Sequence, residues 1–142
     1  MQKLLVPVDG SDNSMRALRH AIGWAKTNGP VSIHVVTAHE EAIVYGEIES
    51  YVTKEKIAEL QRKQSQIPLD AAVRELDAAG ISYTKEILVG PIARTIAKRA
   101  DTLACDGIVM GTRGMTAVGG LLLGSVATKV VHAANVPVTL VK

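Results

Sequence analysis

Three glycines and a serine stand in one loop that carries almost no charge: Gly111, Gly114 and the pair Gly124-Ser125. Glycine lets a backbone turn tightly and approach a ligand with no Cβ in the way. Gly124-Ser125 is predicted to open a helix, whose start presents unpaired N–H groups and the positive end of the helix dipole. Arg113 is the only charged side chain in this loop. The loop is therefore suited to binding phosphate oxygens.

A second polar group follows the first apolar run of the chain, which reads LLVPVDGSD. Pro7 limits strand pairing there, and Asp9 and Ser11 stand at the carboxyl tip of the predicted strand. Two roles are open for Asp9: capping a helix, or contacting a ribose hydroxyl, a base edge or a phosphate-held metal. Arg113 is open in the same way, either as a phosphate clamp or as a solvated loop residue.

The elements that must position these residues are five apolar runs separated by helical stretches. The runs are rich in Val, Ile and Leu and do not alternate cleanly, which favours a parallel sheet covered on both faces. We predict an α/β, doubly wound domain of three layers. Two strand orders are open: 3-2-1-4-5 places Asp9 across one crevice from the glycine loop, and 2-1-3-4-5 places Gly90 beside the first strand. The runs are Leu4 to Val8, Val31 to Thr37, Tyr83 to Val89, Ile108 to Met110 and Val136 to Val141.

Four helices are predicted from apolar stripes at helical spacing. The first has Ser11 or Asp12 as its N-cap and carries Ala17, Leu18, Ala21, Ile22 and Ala25. The second runs from Leu69, with Pro68 beginning or kinking it and Gly80 ending it. The third stripe is Ala93, Ile96, Ala97 and Ala100, and the fourth is Val126, Ala127, Val130, Val131 and Ala134. The polar stretch 40–66 predicts no definite structure: a solvated helix with a loop, or a lid.

Composition excludes several classes of function. The 142 residues fit a single domain, residues 1–142, and a net charge of +2 with no phenylalanine argues against nucleic-acid binding. No apolar run is long enough to span a membrane, and the start of the chain is too briefly apolar for a signal peptide, so we expect a cytoplasmic location. The lone Cys105 excludes a disulfide framework.

Other chemical signatures are missing. No Gly-x-x-x-x-Gly-Lys-Ser/Thr motif occurs, and no Gly-x-Gly-x-x-Gly follows the first strand, which disfavours P-loop hydrolases and dinucleotide oxidoreductases. His34 and His39 with Glu40 and Glu41 lack the fixed spacing of a metal site.

The chain resembles the ATP-binding branch of the universal stress protein family over nearly its whole length. The resemblance rests on LLVPVDGSDNSMRAL, VSIHVVTA, ILVGPIARTIAKRA and GTRGMTAVGGLLLGSVATKVVHAANVPVTLVK. The family's nucleotide motif, Gly, two residues, Gly, nine residues, Gly-Ser/Thr, is met by Gly111, Gly114, Gly124 and Ser125.

The resemblance implies strand order 3-2-1-4-5 and a site for ATP with Mg²⁺ carried by the nucleotide. It implies that Pro7, Val8 and Asp9 line the adenosine side and that Val35 meets adenine through its backbone. It further implies contacts to ribose and phosphates from Met110, Gly111, Arg113, Gly114, Gly124, Ser125 and Val126. A homodimer through the last strand, Val136 to Lys142, is also implied, and a valine-rich edge strand with unpaired backbone groups suits such pairing.

Three functions follow as hypotheses. The first is an ATP-binding regulatory switch of the stress response that acts on an unidentified protein partner without requiring catalysis. The second is a slow ATP hydrolase or adenylyl transferase that uses the same crevice. The third is a nucleotide-free dimeric scaffold or chaperone.

Overall fold

Five parallel strands and four helices make up the computed structural model, which describes residues 2–42, 53–113 and 123–142. The strands are β1 (Gln2–Pro7), β2 (Val31–His39), β3 (Tyr83–Val89), β4 (Gly107–Gly111) and β5 (Val138–Val141). The helices are α1 (Asp12–Thr27), α2 (Lys54–Ala79), α3 (Ile92–Thr102) and α4 (Ser125–Ala133). The sheet order is β3-β2-β1-β4-β5. The predicted order 3-2-1-4-5 is thus confirmed, and the alternative 2-1-3-4-5 is excluded.

Side chains of alternate strand residues enter two separate cores, because successive residues of a strand point to opposite faces of the sheet. Leu4, Val6 and Val35 pack against α1 and α2 on one face. Leu5, Val36 and Ile108 pack against α3 and α4 on the other. A doubly wound three-layer fold results, with the carboxyl ends of all five strands at one edge of the sheet.

The helix α1 begins where the sequence indicated. Ser11 is its N-cap, and its hydroxyl accepts a hydrogen bond from the N–H of Ser14 at 3.2 Å. All five residues of the predicted stripe are buried, and the stripe of α3 is buried as well.

The helix α2 is longer than predicted. It begins at Lys54 instead of Leu69 and contains Pro68 in its interior, with Gly80 ending it in a left-handed conformation at φ 67°. A proline removes one backbone donor and its ring crowds the carbonyl four residues earlier, a cost that a helix with well-anchored neighbouring turns can bear. The anchor on one side is a buried group: Leu69, Ala72 and Leu76. The remaining part of stretch 40–66, residues 43–52, lies outside the described residues.

The apolar stripe predicted for α4 is wider than the face of this helix that is buried. In α4 only Ala127 and Val130 are buried, whereas Val131 is 43% exposed. Successive residues of an α-helix are rotated by about 100°, so Val131 is turned away from the sheet that Val130 contacts. Within the described ranges, none of the helices combines the length and apolar character that crossing a membrane requires.

Candidate functional site

A cavity of about 280 Å³ lies beyond the carboxyl ends of the adjacent strands β1 and β4. Open parallel sheets bind ligands at this kind of position, where the chain reverses its direction of winding. The volume lies near the lower end of small-molecule sites, which hold roughly 300–1,000 Å³. Nine residues named from the sequence line it: Pro7, Val8, Asp9, Met110, Gly111, Arg113, Gly124, Ser125 and Val126.

Asp9 stands in a turn that local hydrogen bonds hold in place. Its Oδ1 accepts a hydrogen bond from the N–H of Ser11 at 2.9 Å, and its own N–H donates to Ser14 Oγ at 3.3 Å. The Ser14 hydroxyl in turn donates to the carbonyl of Ser11 at 3.0 Å. Asp9 therefore fixes the turn before α1 without being its N-cap, and its Oδ2 has no hydrogen-bond partner among the described residues.

Gly111 allows α1 to pack closely against β4, and its backbone also lines the cavity. A Cβ on Gly111 would lie 2.9 Å from the carbonyl carbon and from the Cβ of Asn13. The space that its missing side chain leaves is thus occupied by the first turn of α1. The sequence reading assigned this space to a ligand, whereas the structure places Asn13 there and leaves the Gly111 backbone to line the cavity.

Thr112 joins three elements around the cavity, and the sequence reading did not single it out. Its N–H donates to Val141 O at 2.9 Å, and its carbonyl accepts from the N–H of Gly124 at 2.6 Å. Its Oγ1 accepts from Asn13 Nδ2 at 3.3 Å. We call these three hydrogen bonds the Thr112 junction. A hydroxyl residue directly between Gly111 and Arg113 was the only sequence signal for it.

The start of α4 borders the cavity without a side-chain cap. Gly124 is the N-cap and makes no side-chain capping hydrogen bond. Ser125, Val126 and Ala127, the first three helical residues, line the cavity. Their N–H groups have no partner within the helix, because the first turn of an α-helix leaves its donors unpaired. This end of the cavity therefore offers backbone donors and the positive end of a helix dipole to an anion.

The cavity also has an apolar lining, which we call the apolar wall. Ala38 at the end of β2, Ile92 and Ile96 of α3, and Met110 of β4 supply it. The sequence reading missed Ala38, Ile92 and Ile96 as site residues, because their helical and strand spacing indicates only burial. A wall of this kind suits a flat, largely apolar ring system.

Three further residues that the sequence connected with the site are not among the described residues that line the cavity: Val35, Gly90 and Gly114. Val35 is fully buried in the core against α1 and α2 and does not line the cavity, which Ala38 of the same strand does. Gly90 has φ 145°, and a Cβ there would lie 2.8 Å from Thr95 Oγ1, so its turn requires glycine. Gly114 lies outside the described residues.

The charged residues among the described lining of the cavity are Asp9 and Arg113. Arg113 is half-buried and follows directly on the Thr112 junction. One carboxylate and one guanidinium thus face a site whose other polar groups are mostly backbone.

The histidines weighed as metal ligands are not brought together. His34 Nδ1 lies 2.6 Å from Thr84 Oγ1, and His39 Nδ1 lies 2.8 Å from Ser65 Oγ. Separated by five residues in one strand, they point to opposite faces of the sheet. Burial is the largest cause that lowers the pKa of His34. The carboxylate of Glu86 raises this pKa in part, and the positive charges of Arg99 and Lys3 lower it.

Comparison with known proteins agrees with this architecture. Residues 1–142 match the sequence profile of the Universal stress protein family. Universal stress protein MJ0531 of Methanocaldococcus jannaschii is 34% identical over 147 residues, which cover 99% of this chain and 82% of the relative.

Solved structures of similar proteins have the same fold. That of MJ0577, also from M. jannaschii, superposes with a TM-score of 0.85 at 26% identity, covering 99% of this chain and 95% of the other. A universal stress protein from Archaeoglobus fulgidus in complex with dAMP gives a TM-score of 0.73 at 26% identity, covering 100% and 98%. The chain belongs to the universal stress protein family.

Proposed function

We propose that this protein binds ATP in the crevice between β1 and β4 and acts as a nucleotide-dependent regulatory switch of the stress response. The observation that carries the proposal is a cavity lined both by the uncapped start of α4 and by apolar side chains. A nucleotide has the matching division, with anionic phosphates at one end and an aromatic base at the other. The dAMP complex of the A. fulgidus relative supports an adenine nucleotide as the ligand class.

The described residues fit such a ligand in three parts. The N–H groups of Ser125 and Val126 would hold phosphate oxygens, with Arg113 beside them. Asp9 Oδ2 would accept a ribose hydroxyl, since Oδ1 is already used within the turn. The base would lie against the apolar wall near Ala38, the residue of β2 that reaches the cavity. Val35 stays a proposed backbone contact to adenine because it belongs to β2, the strand that reaches the cavity at Ala38, although its side chain is buried in the core.

Magnesium would be carried by the phosphates. Its chemistry when bound is to neutralise phosphate charge. Within the ranges 2–42, 53–113 and 123–142 no group of three or more His, Cys, Asp and Glu side chains is assembled to hold a metal by itself.

The described residues of the cavity fit a regulatory role better than they fit the turnover of ATP. Transfer of a phosphoryl group needs an oriented nucleophile and stabilisation of the transferred charge. Of the two charged residues in the described lining, Asp9 is held by the turn before α1, and Arg113 is a single cation. Both functions remain separable by experiment, because binding and turnover are measured independently.

A charge placed at the start of α4 tests the site. Ser125→Asp adds a carboxylate to the first helical position, where it favours the helix dipole but repels phosphate. We expect ATP affinity, measured by calorimetry with Mg²⁺, to fall by about tenfold or more, which corresponds to about 1.4 kcal/mol. Ser125→Asn has nearly the same shape without the charge and should bind like the parent. Equal affinity of both variants would place the phosphates elsewhere.

The same preparation separates the three hypotheses. Tight binding with negligible turnover supports the switch. Turnover at any rate that Asp9→Ala abolishes while ATP binding persists supports the hydrolase or transferase, and a rate of about 1 per second or more would place it in the usual enzymatic range. A folded protein without ATP affinity supports the nucleotide-free scaffold or chaperone.

We also propose a homodimer through the last strand, Val136 to Lys142. β5 is an edge of the sheet and has β4 as its neighbour on one side. Ile108 N–H donates to Pro137 O at 2.9 Å and Thr112 N–H donates to Val141 O, so these carbonyls point toward β4. The backbone groups between them that point outward are available for pairing with a second copy.

A further inference from the structure

The Thr112 junction connects the two sides of the crevice to the edge strand. Through Asn13 it reaches the α1 side, which carries the Asp9 turn. Through Gly124 it reaches the start of α4, and through Val141 it reaches β5. Thr112 itself is 7% exposed, so its hydrogen bonds are shielded from water.

A second connection runs in parallel from α1 to β5. Arg16 Nε donates to the carbonyl of Lys142 at 2.9 Å. The guanidinium of Arg16 also donates to Asn13 Oδ1. Asn13 therefore contacts both residues that reach the end of β5, one through its amide nitrogen and the other through its amide oxygen.

The strand that receives these bonds is a short edge of the sheet. β5 has four residues and one neighbouring strand, β4. Its residues are half-buried or exposed, and Val138, Leu140 and Val141 pack partly against the two cores. Short edge elements with few buried contacts open locally at a lower free energy than the core of a protein. The bonds from Thr112 and Arg16 add to the pairing with β4 at the carboxyl end of this strand.

We propose that Thr112 is a positioning residue that couples ligand occupancy of the crevice to the anchoring of β5. The proposal rests on the proposed nucleotide binding. A ligand that contacts the Asp9 turn and the start of α4 together is bound best when both are at their observed separation. The Thr112 junction holds that separation and the end of β5 at once, so the ligand favours the state in which β5 is anchored.

The coupling is reciprocal. Whatever pairs with the outer edge of β5 raises the affinity of the crevice for its ligand by the same factor by which the ligand stabilises that edge. Nucleotide occupancy would in this way regulate the surface that a second strand needs for pairing.

Amide hydrogen exchange measured by NMR tests the coupling without any partner. The probes are the amides of Thr112, Thr139 and Val141, which lie on the side where β4 and β5 pair, with and without saturating Mg²⁺-ATP, occupancy being measured separately by calorimetry. In the parent we expect ATP to slow their exchange by about fivefold or more, the lower end of typical allosteric coupling.

Three variants test whether the hydroxyl of Thr112, which accepts from Asn13, is needed for the coupling. Thr112→Val removes it at nearly constant shape and should reduce the slowing to less than about twofold at full occupancy. Thr112→Ser keeps the hydroxyl and should restore the parental effect. Thr27→Val removes a hydroxyl that bonds Gly23 O at the far end of α1 and should change nothing.

A variant at an exposed residue tests the coupling without changing the buried Thr112. Arg16 is exposed, so Arg16→Ala should fold normally while cutting the bond to Lys142, and it should reduce the slowing at Val141. The coupling is refuted if ATP saturates the parent without slowing β5 exchange, or if Thr112→Val and Arg16→Ala show the parental slowing. Absence of ATP binding by the parent refutes the proposed function, and the coupling with it.

Discussion

Gly111 and Asn13 are in such close contact that a Cβ on Gly111 would lie 2.9 Å from the Cβ of Asn13. Real Cβ atoms do not approach other atoms so closely, so α1 and β4 can meet at this distance only with glycine at 111. The same contact places Asn13 within hydrogen-bond distance of Thr112. The close approach of helix and strand therefore brings α1 to the residues that follow β4 at the cavity.

Gly111→Ala should lower the free energy of unfolding by about 1–3 kcal/mol, because the added methyl group overpacks the contact with Asn13. Denaturant unfolding measures the change. Gly23→Ala is the control, since a Cβ there meets nothing within 4 Å and the site is inside α1. It should raise the same free energy by about 0.5–1 kcal/mol. Effects of the same sign for both variants would contradict the packing role of Gly111.

His34 should make stability depend on pH. It is 5% exposed, its Nε2 lacks a hydrogen-bond partner among the described residues, and burial lowers its pKa. The unfolded chain, with a histidine pKa of about 6.5, then binds the proton first as the pH falls. The contribution of the neutral, buried His34 is present above that value and is lost between it and the lower pKa of the folded state.

The measurement is the free energy of unfolding between pH 8 and pH 5. His34→Gln should flatten the loss below about pH 6.5 by a slope of at most about 1.4 kcal/mol per pH unit. His20→Gln, at an exposed position of α1, should keep the parental profile. A parental profile for His34→Gln would show that another group causes the acid loss.

Pro68 should limit the stability of α2. It lies inside the helix and lacks the N–H that would bond the carbonyl four residues earlier. Pro68→Ala restores that donor and should raise the free energy of unfolding by about 1–2 kcal/mol, measured by denaturant unfolding. The Cβ position of Gly10 is 3.7 Å from Pro68 Cβ, and alanine keeps that Cβ. The exposed neighbour Ile67→Ala should have little effect, and a loss of stability in Pro68→Ala would show that the ring supports the Asp9 turn.

Thr139→Lys should weaken the proposed homodimer. Thr139 is an exposed residue of β5, and two-fold pairing of this strand would bring the two lysines near each other. Light scattering after size exclusion should show the monomer mass for this variant and the dimer mass for the parent at equal concentration. Thr27→Lys adds the same charge at the end of α1 and should stay dimeric. A monomeric parent would refute the dimer.

Much of the fold could be predicted because its signals are local. The strand Tyr83–Val89 has the predicted bounds, and the stripes of α1 and α3 are buried residue for residue. Hydrophobic periodicity depends only on neighbouring residues in the chain, so it can be read without the fold. For the first half of α2, from Lys54, the sequence offered only a solvated helix as one possibility, because this half has no buried face. That it continues into the helix predicted from Leu69 was missed because Pro68 imitates a boundary.

The sequence by itself determined the element types and the glycine spacing, and it marked two strand ends, at Asp9 and at Gly111, as candidate parts of a site without deciding from the residues that they adjoin. Only the tertiary structure decided that β1 and β4 are neighbours, that Ala38, Ile92 and Ile96 form the apolar wall, and that Thr112 joins α1, α4 and β5. The physical reason is the distance along the chain over which each interaction acts. Turn and helix propensities act over a few residues, whereas Asn13 and Thr112 are 99 positions apart and meet only because the sheet order brings their elements together.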